Sequence, residues 1–328
     1  MFIYRVYNVF YTLVKYFHQY DRMKQDQDHT SQKPFLHTVS RERHSSVAQQ
    51  QDMNDTRFKG KTIVITGAGG NFGREGCLYF SQRGANVVAL DKNPATLAET
   101  VQEIKDKCNS FNPAAFIALE CDVTSVESVQ GVMDQVVQQY GSIDLLWNNA
   151  GYQGQIKPTL DYDPADFAMV MNINVTGMFI VLQAVGRKMA KQHAGGSIVN
   201  TASVAGLRGT PAMVAYSSSK AAVLAMTVST AKDLAPYNIR VNAVSPALIG
   251  PGFMWTRQNE LHAASGSPYY ATDPEEVAKG KIASVPMKRL GSVEEVVKSV
   301  AFLLSDEASY TTATNLVVDG GMAGGLKA

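Results

Sequence analysis

From Lys61 onward, short apolar runs alternate with longer segments whose apolar positions recur at helical spacing. Lys61–Thr66 and Asn86–Leu90 are β-branched runs that read as buried strands, and Ala115–Glu120, Ile143–Trp147, Ile198–Val199, Asn238–Pro246 and Asn315–Val318 continue the series. Between them the spacing predicts helices over about 74–83, 95–107, 125–140, 164–192, 273–281 and 292–304, with another carrying Tyr216–Ala225. Such alternation predicts an α/β protein, with a doubly wound parallel sheet and helices on both faces, forming a single domain over residues 56–328. Residues 247–272 break the rhythm and read as a long connection, a length that marks a functional lid. Phe253, Met254 and Trp255 within it would close over a substrate, or serve as plain core or interface residues.

Residues 1–55 do not share this pattern. The uncharged run Val6–Val14 is too short to span a bilayer, which needs about 20 apolar residues. Ile3, Val6, Phe10, Leu13 and Phe17 could form one side of an interfacial amphipathic helix, so membrane contact is expected only if residues 1–17 are expressed. The run also resembles the start of a signal anchor, although no small-residue cleavage site follows. Residues 20–55 are polar and read as a disordered N-terminal extension. On a third reading, Met53 is the natural start and the first 52 residues are a translated upstream region.

The formal net charge of +1 over 328 residues gives no reason to expect nucleic acid as a ligand. Cys77, Cys108 and Cys121 are odd in number and lack metal spacing, so they read as reduced thiols in a cytoplasmic protein. Of the six histidines, His18, His29, His37 and His44 lie in the N-terminal segment without metal-site spacing, so no metal is expected.

Candidate chemistry gathers at the predicted strand ends. The glycine-rich turn Gly67–Gly73, holding Asn71 and Phe72, lies between a strand and a helix, where backbone N–H groups and the helix dipole favour a pyrophosphate. Asp91 ends the next strand about twenty residues further on, where a carboxylate bonds the ribose hydroxyls of NAD and repels a 2′-phosphate. Its competing role is to cap the helix that starts near Pro94. Tyr216 and Lys220 are four residues apart and share a helical face. A lysine beside a phenol favours the phenolate, so the Tyr216 pKa is expected below its free value of about 10. Ser203, at another strand end, would hold a reacting oxygen. Alone, a Tyr-x-x-x-Lys pair is far more often an amphipathic surface helix, and it gains weight only from what precedes it in the chain. Ligands of a doubly wound sheet bind outside the strand carboxyl ends, and Gly67, Asp91, Asp122, Asn148 and Ser203 all fall there.

Together, Thr66-Gly67 with Gly73, Cys121-Asp122-Val123, Asn148–Gly151, Asn174, Ser203, Tyr216 with Lys220 and Ser245-Pro246 resemble the short-chain dehydrogenase/reductase family over residues 57–321. The resemblance implies a Rossmann-type sheet with Asn174, Ser203, Tyr216 and Lys220 as the catalytic set. Tyr216 would be the general acid/base and Ser203 would orient the substrate oxygen. Lys220 would bind the nicotinamide ribose and lower the Tyr pKa, and Asn174 would hold a proton-relay water. Cofactor contacts are implied for Gly67, Asn71, Phe72, Gly73, Asp91, Asp122, Val123, Asn149, Gly151, Tyr216, Lys220 and Pro246, with NAD as cofactor and a homotetramer as the assembly. Asn148–Gly154, Ala235–Asn242 and Gly250–Trp255 are further similar to bacterial NAD-dependent xylitol (polyol) dehydrogenases, implying a sugar alcohol as substrate and a ketose as product. The alternative within the family is an NADPH-dependent 3-oxoacyl-thioester reductase, for which Arg74 beside the glycine loop is a candidate basic residue. The chain departs from the family at Asn71, where a glycine is usual, and at Ala247 after Pro246. Asn71 is expected to take up left-handed backbone there.

Overall fold

The computed structural model describes residues 55–109 and 111–324. Seven strands form one sheet: β1 (Thr62–Thr66), β2 (Asn86–Asp91), β3 (Phe116–Glu120), β4 (Leu145–Asn148), β5 (Gly196–Thr201), β6 (Ile239–Pro246) and β7 (Asn315–Val318). All pairings are parallel, in the order β3-β2-β1-β4-β5-β6-β7. Chain order reverses between β1 and β4, which pair with Ile63 opposite Leu145 and Ile65 opposite Trp147. That reversal opens a crevice at the carboxyl ends of the two strands, the usual ligand position in a doubly wound sheet.

Every residue of β1 is buried, because helices cover both faces of the sheet. Ile63 and Ile65 enter one core with Cys77, Phe80 and Val300, from α1 (Asn71–Gln82) and α10 (Val293–Leu304). Val64 points the other way, towards Val129, Met133 and Val185 of α3 (Val126–Tyr140) and α5 (Met178–Gln192). Each such aliphatic side chain contributes about 1.5–3 kcal/mol by leaving water. The remaining helices are α2 (Pro94–Lys107), α4 (Pro164–Met171), α6 (Ala205–Arg208), α7 (Val214–Leu234), α8 (Phe253–Ala263) and α9 (Pro274–Ser284). The run 164–192 is apolar and long enough to cross a membrane by composition alone, yet Val181, Leu182, Val185 and Met189 within it are buried in the core.

Residues 247–272 are not the structureless connection expected. They contain α8, which packs on α9 outside the sheet. The predicted N-terminal extension, with its candidate amphipathic run and Met53, lies outside the described residues except for Asp55. Asp55 accepts from Arg57 at 2.6 Å and Arg83 at 3.0 Å, and the Arg57 guanidinium holds its carboxyl down at about 2.

Candidate active site

One cleft of about 390 Å³ lies over the β1–β4 crevice. Gly67, Asn71, Phe72, Asp91, Asn149, Gly151, Ser203, Tyr216, Lys220 and Pro246 all line it, so ten of the positions picked from sequence meet at one surface. Gly73, Asp122, Val123 and Asn174 are not on that surface. Each stands beside it.

At the first end of the cleft, β1 hands over to α1. Gly67 has φ of 68°, a left-handed conformation that favours glycine. Gly73 is needed for a different reason: a Cβ there would lie 2.2 Å from the Gly67 carbonyl oxygen. Asn71 takes no left-handed backbone, contrary to expectation, because it is already the first helical residue of α1. Gly70 caps α1 with no side-chain hydrogen bond, and no acidic residue occupies the first turn. The helix therefore presents free backbone N–H groups and the positive end of its dipole beside Gly70, Asn71 and Phe72, which line the cleft. This is the arrangement a pyrophosphate needs, so the residues present fit a dinucleotide.

Asp91 closes β2 beside this loop. Its Oδ2 accepts the Gly69 N–H at 2.8 Å and its Oδ1 accepts the Asn93 N–H at 2.9 Å. Capping of α2 falls to Asn93, whose side chain accepts from Ala95 and Thr96. Two cations near it are each paired with carboxylates. Arg74 contacts Glu99 at 3.0 Å and Glu103 at 3.4 Å. Lys92 contacts Asp122 at 2.6 Å, which with the Thr124 hydroxyl and N–H holds the Asp122 carboxyl at about 2. Asp122 and Val123 thus form the rim at the end of β3, where Val123 packs against Gly177.

Thr66 ties β1 to β4. Its hydroxyl accepts the Asn149 and Ala150 N–H groups, both at 2.9 Å, while Asn149 Nδ2 donates to the Thr66 carbonyl at 3.1 Å. Asn148 is buried beneath, donating to the Met178 carbonyl at 2.8 Å.

The opposite end belongs to β5 and α7. Lys220 lies on the same face of α7 as Tyr216, its Nζ 5.6 Å from the Tyr216 ring centroid. That ammonium is buried and donates to the Thr201 carbonyl at 2.7 Å, and desolvation lowers its pKa to about 8. The expected depression of the Tyr216 pKa is not observed. Burial raises it, opposed by a hydrogen bond with Ser203. Ser203 Oγ also accepts the Ala205 N–H at 3.2 Å, which fixes the hydroxyl against the turn into α6. Asn174 sits in a π-helical turn, Asn172–Gly177, between α4 and α5, a distortion that recurs at functional positions. Its Oδ1 accepts the Tyr152 N–H at 2.7 Å, and its Nδ2 donates to the Tyr152 carbonyl at 2.8 Å and to Ser219 Oγ at 3.0 Å.

The outer wall was only partly foreseen. Met254 and Trp255 of α8 line the cleft, whereas Phe253 is 75 % exposed and does not. Gln153 and Gln258 also line it and were not singled out, since a lone glutamine carries no spacing signal.

A doubly wound sheet, an open helix end at its switch point and a Ser, Tyr and Lys at the far wall define a dinucleotide-dependent oxidoreductase. A family model described as enoyl-(acyl carrier protein) reductase matches residues 67–323. The chain is 37 % identical over 266 residues to a 3-oxoacyl-[acyl-carrier-protein] reductase of Thermotoga maritima, covering 81 % of this chain and 99 % of that one. It is 34 % identical over 267 residues to an NAD-dependent glycerol dehydrogenase of Listeria innocua, covering 81 % and 95 %. Among solved structures, an NAD+-bound xylitol dehydrogenase is similar at 49 % identity and a TM-score of 0.75, covering 80 % of this chain and 99 % of that one. The chain belongs to the short-chain dehydrogenase/reductase family and is an oxidoreductase of that family.

Proposed function

We propose that this chain is an NAD-dependent polyol dehydrogenase, oxidising a secondary CH–OH of a sugar alcohol to the C=O of a ketose. The reaction balances as alcohol plus NAD+ giving ketone, NADH and a proton. The observation that carries the reading is the charge at the ribose end, where Asp91 faces the cleft and the neighbouring cations Arg74 and Lys92 are held by Glu99, Glu103 and Asp122. Among the described residues, Arg74 and Lys92 are thus engaged by carboxylates, and Asp91 faces the cleft, which disfavours a 2′-phosphate. The polyol is supported by the 49 % identity to a xylitol dehydrogenase and the 34 % identity to a glycerol dehydrogenase.

Bound NAD supplies the acceptor for the hydride that leaves the carbinol carbon. The free N–H groups of α1 would hold the pyrophosphate, Asp91 the adenosine ribose, and Asn149 with Gly151 the centre of the cofactor. Gly151 has a reason to lack a side chain, since a Cβ there would lie 3.3 Å from Asn174 Oδ1 and 3.6 Å from Lys220 Nζ. Ser203 positions the substrate hydroxyl, and Tyr216 takes its proton as general base. Lys220, with its donor pointing to Thr201, has two further hydrogens for the nicotinamide ribose. Both amide hydrogens of Asn174 are used, so its side chain clamps Tyr152 and a relay water would be held by the π-helical backbone.

NADH formation by the full chain, offered xylitol, sorbitol, ribitol, mannitol and simple secondary alcohols with NAD or NADP, tests this reading. Activity with NAD, highest on one polyol, is expected. The 37 % identity to a 3-oxoacyl reductase supports a second reading on the same fold. Silence on every polyol together with NADPH-driven reduction of an acetoacetyl thioester would establish it. A homotetramer is proposed from family membership and is tested by light scattering of the eluted protein.

A further inference from the structure

Gln153 lines the cleft with Tyr216 and Ser203, yet its buried side-chain Nε2 has no hydrogen-bond partner. Buried polar atoms in native proteins are almost always paired, so an unpaired one in a cleft needs an account. Gln155 also carries an unpartnered atom, Oε1, but it does not line the cleft. The backbone around Gln153 is pinned on both sides. Before it, Tyr152 is held by Asn174 through its N–H at 2.7 Å and its carbonyl at 2.8 Å, while its hydroxyl donates to Asp166 at 3.1 Å. After it, Gly154 has φ of 72°, a Cβ there would lie 2.5 Å from Val170, and the Gln155 N–H donates to Asp166 at 2.9 Å. Asp166 is itself buried and receives the Tyr162 hydroxyl at 2.6 Å. This fixed backbone places the Gln153 side chain on the cleft wall, where its Nε2 has no protein partner. The donor is therefore held ready, and the group it meets must come from what enters the cleft.

We infer that Gln153 is a specificity-determining residue whose carboxamide holds the hydroxyl on the carbon next to the reacting carbinol, so that the site selects vicinal diols over isolated secondary alcohols. A carboxamide suits a hydroxyl because it both donates and accepts. A site built to bond a hydroxyl rejects the analogue without it, because its own buried group is then left unpaired. This rests on the polyol reading above and sharpens it.

The test compares kcat/KM for 2,3-butanediol and 2-butanol, with NAD, in the wild-type chain and in Gln153→Met and Gln153→Leu. Methionine keeps the length and apolar stem of glutamine, and leucine guards against a fold defect in one variant. Thermal midpoints are recorded for both. The wild type is expected to prefer the diol, and the ratio is expected to fall about 10- to 100-fold in both variants, through KM more than kcat, with KM for NAD unmoved. A diol preference that survives in both variants within twofold overturns the inference and leaves the polyol reading standing. A wild type that uses both alcohols equally overturns it as well. A wild type that oxidises sugar alcohols but neither of these two overturns the inference alone, and one that oxidises none of them overturns the polyol reading with it.

Discussion

The two ends of the cleft are built by opposite means. The nucleotide end is made of backbone: a turn with left-handed Gly67, the open N-terminus of α1, and an aspartate that both faces the cleft and bonds the Gly69 N–H at 2.8 Å. Its residues lie within about thirty positions of one another and its pairings are local. The substrate end is made of side chains delivered by distant segments, namely the Gln153 loop, Ser203 after β5, Tyr216 on α7 and Trp255 on α8. The first design fits any dinucleotide of one charge type. The second can change one side chain at a time without disturbing the sheet, which is consistent with relatives of different names on one frame.

The largest effect is expected at the reacting atoms. Tyr216→Phe should lower kcat by about 10²–10⁴-fold, the range for losing a general acid or base. Affinity for NAD, read by fluorescence quenching, should stay close to wild type, because the nucleotide end is untouched. Near-normal turnover in this variant would remove Tyr216 from the chemistry.

Next in size is a change of cofactor at the nucleotide end. Lys92 is paired with Asp122, so altering Lys92 frees no cation for a 2′-phosphate. Asp91→Ser combined with Glu99→Gln removes the facing carboxylate and loosens Arg74. The NADP/NAD ratio of kcat/KM should rise about 100-fold, consistent with the several kcal/mol that a like-charge contact costs. A ratio that stays put would mean that Asp91 serves the Gly69 turn and not the ribose.

The same contrast explains what was legible in the sequence. Strand, glycine turn, helix and strand-end acid each leave a local signature, so β1, α1, β2 and Asp91 were readable to within a few residues. Helix α8 was not. It buries the polar Asn259 and His262 and exposes Phe253 at 75 %, inverting the pattern by which a surface helix is recognised. Lys281 gives the reason: its Nζ donates to Asn259 at 2.7 Å and lies 3.1 Å from His262 Nδ1, so the helix docks through a polar cluster. Asn71 misled in the opposite sense. A family glycine suggested left-handed backbone, but the residue is helical and its side chain is free to line the cleft. The direction of the Tyr216 shift could not be read from a four-residue spacing either, since it depends on burial and on the hydrogen bond with Ser203.

A smaller effect follows from that shift. Burial keeps the Tyr216 phenol above its usual range, so the neutral form dominates at neutral pH. If Tyr216 is the base as proposed, oxidation needs its phenolate, and kcat/KM for the alcohol should climb by up to about tenfold per pH unit above neutrality. Reduction uses the neutral phenol as acid and should fall over the same interval. The climb should continue as long as the phenol stays largely protonated, because burial holds it above its usual range. Parallel profiles for the two directions would contradict a shared tyrosine.

The smallest effects separate the open helix end from a closed one. Helix α10 carries a capping box in which Ser292 accepts the Glu295 N–H at 3.1 Å and Glu295 accepts the Ser292 N–H at 2.8 Å. Ser292→Ala should cost about 1 kcal/mol in stability, read as a lower urea midpoint, with kcat unchanged. At α1 the reverse holds. Gly70 has φ of −88°, and a Cβ there would be no nearer than 3.4 Å to the Gly67 carbonyl, so a side chain fits. Gly70→Asp supplies the missing cap and should leave stability equal or slightly higher, yet weaken NAD binding about tenfold, because its carboxylate occupies the N–H groups and the positive dipole end kept for the pyrophosphate. If the cap instead stabilised the chain without loss of NAD affinity, the open end of α1 would have no part in holding the cofactor.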